Sequence, residues 1–192
     1  GINLTEDEFP DYYRHGMEPE NPEKKVYTLS LLKKIVKWVR EVNPSQPITT
    51  AIYEWSDDHW ATIENLSDLD QFIINSSDII SYHDYGDKQG AINRIEGLKK
   101  YNRPIICSEY IAREHKSTFK DILPLFKENK IGAYNWGFVS GKTNTIYPWK
   151  SWDSTYTGPP KKWHHDLFYE NGEPFSVDEI EFIKETISSL NE

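Results

Sequence analysis

From Tyr27 onward, apolar residues recur at three- and four-residue spacing. Leu31, Leu32, Ile35, Trp38 (or Val39) and Val42 mark one face, with Lys33, Lys34, Lys37 and Arg40 on the other. This pattern predicts an amphipathic helix that Asn43-Pro44 terminates, since the residue before proline is driven out of the α region. The helical period returns over Leu66–Ile74, with Ser67 and Asp68 near its start, and over Lys88–Lys100, with Ile92, Ile95 and Leu98 on one face. It returns again over Thr118–Asn129, with Phe119, Ile122, Leu123 and Phe126 inward and Ser117 as the expected cap. A last helix is predicted from an N-cap at Ser176 to about Leu190, with Asp178 and Glu179 in its first turn. Trp163–Phe168 reads as the start of a short helix.

Between these helices lie four short apolar runs: Pro47–Tyr53, Asp78–Tyr82, Arg103–Ser108 and Ile131–Phe138. They are continuously apolar rather than alternating, which predicts strands buried on both faces of a parallel sheet under helices. They recur about every 25–30 residues, the spacing of βα units. Residues 1–26 are acidic, contain prolines and show no period; they are predicted to be a long loop ahead of the βα units of 27–192. A length of 192 residues predicts a single domain. The fold class is α/β, and two architectures remain open: a small doubly wound sheet, or half of a (β/α)8 barrel, which needs eight strands and about 250 residues.

Composition narrows the partners. A net charge of -9 argues against a nucleic-acid partner, whose phosphates need a basic surface, and opposes an anionic membrane. No apolar run approaches the roughly 18 residues of a membrane span. Mean hydropathy is low at -0.73, yet 14% of residues are aromatic, which favours a packed fold over disorder. Seven Trp and twelve Tyr supply flat apolar faces that suit sugar rings, and equally suit a core. One cysteine, Cys107, rules out an intrachain disulfide and a Cys-based zinc site. No phosphate-binding glycine loop occurs, so a nucleotide site is disfavoured.

In a parallel α/β fold, chemistry gathers where strands end. The four runs end at Tyr53-Glu54-Trp55, His83-Asp84-Tyr85, Glu109-Tyr110 and Asn135-Trp136-Gly137. Glu109 directly follows an apolar run, where a carboxylate faces a shared pocket or simply opens a solvated loop. Trp136 fits a sugar platform or a core position, and His83 and Tyr85 fit partners of a carboxylate or of a hydroxyl. Glu54, Asp57 and Asp58 form an acidic loop, with Glu54 a second carboxylate candidate. His115 and the adjacent pair His164 and His165 raise a metal reading. Neighbouring side chains diverge on a helix or strand, and no H-E-x-x-H spacing is present, so no metal site is expected. Ser108 lacks a nucleophile elbow.

The segments WVREVNPSQPIT (38–49), SSDIISYHDYG (76–86), KKYNRPIICSEYIAR (99–113), IGAYNWGFVSGKTNTIYPWKSW (131–152) and PPKKWHHDLFYENGEPFSVDEIEFIK (159–184) carry a resemblance. Together they resemble bacterial clan A glycoside hydrolases related to the family 5 and family 2 barrels, often labelled cellulase or 1,4-β-xylanase. The resemblance implies the C-terminal half of a TIM barrel, strands five to eight. It implies Glu109 as nucleophile after the seventh strand, His83 and Tyr85 at the sugar site after the sixth, and Trp136 as platform after the eighth. Lys142, Tyr147, Trp149 and Trp152 are expected to border the cleft. The substrate-binding set is then Trp136, His83, Tyr85, Trp149, Trp55 and Asn135, with no cofactor. The family's acid/base is a Glu in an Asn-Glu pair closing the fourth strand; no Asn-Glu precedes the first helix here, and Asn191-Glu192 at the end of the sequence is expected to be a frayed tail and no candidate. Gly1 is therefore expected to begin just after that motif, with the acid/base and a half-barrel supplied from upstream or by a partner chain. A secreted or periplasmic location is expected, although no signal peptide is visible. The alternatives are a carbohydrate-binding half without turnover and a small α/β domain for a phosphorylated metabolite.

Overall fold

The computed structural model describes residues 22–52 and 66–188. Helix α1 (Pro22–Glu41) leads to strand β1 (Ala51–Ile52), α2 (Asp68–Ser76), β2 (Ile80–Asp84) and α3 (Lys88–Lys99). Strand β3 (Ile105–Tyr110), α4 (Phe119–Glu128), β4 (Gly132–Asn135) and α5 (Val177–Ser188) complete the order. Short 3-10 turns lie at Arg113–His115 and Trp149–Trp152. The predicted alternation of helix and strand is present, with shifted bounds. α1 starts at Pro22, inside the segment predicted as loop, because proline's fixed φ suits a first helical turn. Thr118, not Ser117, caps α4: its side chain accepts from the Asp121 amide, while Ser117 is buried in a bridge to Ala112. No helix forms over Trp163–Phe168; this stretch is bound by its backbone to the loop after β4, with Leu167 and Phe168 both donating to the Phe138 carbonyl. α5 begins as predicted, with Ser176 accepting from the Glu179 amide, and α2 begins two residues later than predicted because Ser67 caps it by accepting from the Asp70 amide.

All strand pairs are parallel and the sheet order is β1-β2-β3-β4. A doubly wound sheet reverses its strand order at a switch point; no reversal occurs among the described strands. Right-handed crossovers between strands taken in sequence place their helices on one side of the sheet. The packing agrees. Register partners Ile52, Tyr82 and Cys107 belong to a single core with Ile73 and Ile74 of α2, Ile95 and Leu98 of α3, and Phe119, Ile122 and Phe126 of α4. The other register row, Ala51, Ser81, Ile106 and Gly132, lies outside that core. On the same face as Gly132, Tyr134 is 64% exposed.

α1 departs from its predicted face. Leu32 packs on the core, Lys33 lies over the Phe72 ring of α2, and Arg40 makes a two-oxygen pair with Asp78. Tyr27, Leu31, Ile35, Trp38 and Val42 are exposed. The apolar arc is wider than the contact with α2, so half of it has no cover among the described residues. No described helix is long and apolar enough to cross a membrane.

Candidate functional site

Alternation along β3 by itself would send Ile105, Cys107 and Glu109 to one face. Ile105 and Cys107 point into the helix-covered core, and a carboxylate there would be costly. The register shifts between Cys107 and Tyr110, and β2 shifts between Tyr82 and His83. These irregularities return Tyr110 to the core and bring Glu109 opposite His83. Glu109 thereby leaves the core face and stands half-buried, with its side chain 25% exposed.

One oxygen of Glu109 is held twice. The Tyr85 hydroxyl donates to Oε2 at 2.7 Å, and His83 Nδ1 lies 3.2 Å from the same atom. Among the described residues Oε1 has no partner. The turn carrying Tyr85 is set by Asp84, whose Oδ1 accepts from the Gly86 amide at 2.8 Å and from the Arg94 guanidinium at 2.6 Å. A Cβ at Gly86 would sit 2.5 Å from Arg94 Nη1, so a larger residue would push the Arg94 guanidinium from its place at this corner. The Tyr85 ring meets Trp149 edge-on at 5.2 Å and His165 at 5.6 Å.

Trp149 and His165 belong to the wall of a cleft of about 640 Å3, shared with Trp136, Tyr147, Trp152 and Tyr156. Hydroxyl and amide side chains from Thr143 to Thr155 line the rest. Trp136 follows β4 directly, donates its amide to the Tyr110 carbonyl and stays 44% exposed. The loop after it is pinned to 164–168: the His164 and His165 amides donate to the carbonyls of Ile146 and Thr145, and Thr145 donates its hydroxyl to Asp166. At Gly137, with φ +79, a Cβ would come within 2.8 Å of His165 and Asp166, so this close approach requires glycine. Behind the wall, His164 packs on Trp149 at 4.9 Å, fully buried, with no partner for either ring nitrogen. Burial, reinforced by the neighbouring His165 and His115, holds its pKa down at about 3. His165 is also pushed down by burial, against the pull of its bond to the Ile111 carbonyl.

The structure thus gathers Glu109, His83 and Tyr85 at one point and Trp136 and Trp149 in the adjoining cleft, with Tyr85 touching both groups. Tyr147 and Trp152 border the cleft as expected, whereas Lys142 is outside its lining. Asn135 is also outside it: its amide donates to the Gly137 carbonyl and serves its own turn. Glu54, Trp55, Asp57 and Asp58 lie outside the described residues. The sequence offers His165 only as a metal ligand; its place in the cleft comes from the 164–168 segment docking on the loop after β4. Among the described residues no three His, Cys, Asp or Glu side chains converge as a metal site. The arrangement offers a carboxylate with one tethered and one open oxygen beside an aromatic, hydroxyl-lined cleft. Neither a protein-family model nor a curated protein matches this chain.

Proposed function

We propose that this chain carries the nucleophile of a retaining glycoside hydrolase acting on β-linked poly- or oligosaccharide, of the cellulase or β-xylanase kind. The observation that carries this reading is Glu109: a carboxylate at the end of a parallel strand, gripped through Oε2 by Tyr85 and His83, with Oε1 open. A nucleophile needs that asymmetry, because the tethered oxygen fixes the carboxylate's orientation while the open one attacks. Oε1 attacks the anomeric carbon, the glycosidic C–O bond breaks, and a glycosyl ester forms on Glu109. The indoles of Trp136 and Trp149 seat the apolar faces of the rings, and the hydroxyl and amide groups of the loop meet their OH groups.

Retention needs a second carboxyl about 5–5.5 Å from the first, to protonate the leaving oxygen and later activate water. We assign that acid/base to a further half-barrel outside the described residues, either another segment or a partner chain. Two features favour a barrel: sequential parallel strands without a reversal of order, and helices packed on one face of the sheet. β1 and β4 each pair on one side only among the described strands, and such edges recruit further strands. A polysaccharide substrate goes with a secreted or periplasmic setting.

The test is mechanism-based labelling of the protein, with its completing half present, by 2-deoxy-2-fluoro cellobioside and xylobioside. The adduct is expected on the peptide containing Glu109, and E109A should lower kcat by on the order of 10³-fold or more. A label on another carboxylate would end the assignment. Oligosaccharide binding with no turnover and no adduct would favour the carbohydrate-binding alternative.

A further inference from the structure

His165 lines the cleft although its ring is packed among Tyr85, Trp149 and His164. Its Nδ1 is committed to the Ile111 carbonyl. A carbonyl only accepts, so Nδ1 carries the proton, and Nε2 of the neutral ring is left with a lone pair. Burial favours that neutral form. Nε2 has no partner among the described residues, and it is not sealed off as both ring nitrogens of His164 are. The cleft is the space left for it. Its distance from Trp136 is also fixed by the fold, since the bare Cα of Gly137, next to Trp136, lies against His165.

We propose that His165 is a substrate-positioning residue whose Nε2 accepts a hydrogen bond from a hydroxyl of a sugar ring seated on the indoles of the cleft. The inference rests on the reading of this cleft as a carbohydrate site, but not on hydrolysis. It explains why an acceptor-only nitrogen is built into a wall otherwise made of aromatic rings and of hydroxyl and amide groups that both donate and accept: a neutral imidazole locked in one tautomer discriminates between the two.

The experiment titrates the full chain, with its completing half present, with cellotetraose and with xylotetraose by calorimetry, using wild type, H165N and W136A. In H165N the amide N–H can still serve the Ile111 carbonyl, and the Nε2 acceptor is gone. H165N is expected to bind roughly fivefold to tenfold more weakly than wild type, and W136A to lose most binding. In parallel, 15N NMR of the wild-type imidazole should show the Nδ1–H tautomer, with the Nε2 resonance moving when sugar is added. This second readout stands even if H165N fails to fold. Binding that W136A abolishes and H165N leaves intact overturns the role of His165 alone, as does a proton found on Nε2 of the free protein. Binding without turnover leaves His165 in place and removes the hydrolase reading. Failure of wild type to bind either tetrasaccharide removes both.

Discussion

At the scale of single residues, the site is built from groups with one face committed and one face open. Glu109 spends Oε2 on Tyr85 and His83, and His165 spends Nδ1 on Ile111. Behind them His164 is committed to nothing: it is buried and neutral, and its pKa is held at about 3 against an ordinary 6.5. Between those two values the unfolded chain binds a proton that the folded one refuses. Stability from this group is therefore complete above about pH 6.5 and is lost as pH falls toward about 3. Urea midpoints measured at pH 7 and at pH 4.5 should fall with acid in wild type and fall less in H164F, which keeps the ring packing on Trp149 and removes the titration. Equal slopes would show that His164 is not held neutral. The residue types at the site were visible in the sequence at the strand ends. Their commitments were not, because a hydrogen bond such as His165 to Ile111 joins positions far apart in the chain.

At the scale of elements, the last helix is fastened to the site's back wall by one buried ion pair. Arg113, in the turn after β3, donates to both carboxylate oxygens of Glu179 on α5, at 3.1 and 2.5 Å, and also to the Trp163 carbonyl. Its guanidinium lies 5.5 Å from the Phe175 ring, and Phe175 stacks on Trp163 at 4.6 Å. Removing one partner of such a pair strands the other charge, whereas replacing both with apolar groups avoids that penalty. E179A should destabilise the chain by about 3 kcal/mol, and the R113M/E179L double variant by clearly less, as read from urea unfolding followed at Trp fluorescence. A double variant as damaged as E179A would mean that the pair acts through packing rather than charge. Helices are legible in this sequence because their period is local: the spacing marks Ser176 as a cap, while the capping by Ser67 and by Thr118 is settled only by the fold. Strand ends are less so. β1 and β4 are shorter than their apolar runs, while β2 and β3 keep the length of theirs and lie two residues further along, since a run records burial and a strand records pairing. The aromatic segment 163–168 reads locally like a helix and instead spends its amides on the carbonyls of Thr145 and Ile146 and of Phe138.

At the scale of the whole molecule, the described chain is a parallel four-stranded layer with its helices on one side and the row Ala51, Ser81, Ile106 and Gly132, with Tyr134, on the other. Together with the exposed stripe of α1 (Tyr27, Leu31, Ile35, Trp38 and Val42), this leaves much apolar surface in water. If four further strands close the sheet, the chain by itself should associate as its concentration rises and become a defined species when a complementary half-barrel is added. Sedimentation velocity distinguishes this from a clean, stable monomer indifferent to partners, which would count against the barrel. What the sequence determined unaided was the alternation of five helices with four apolar runs, the parallel character of the sheet, and the set of polar and aromatic residues waiting at strand ends. These follow from periodicity and burial, which each segment encodes within itself. Tertiary structure decided the rest. The register shift in β3 moved Glu109 off the core face, the width of contact on α2 left half of α1 uncovered, and the docking of 164–168 placed His165 in the cleft. Each is a relation between distant segments, set by which backbone finds which partner, and no single stretch of sequence carries it.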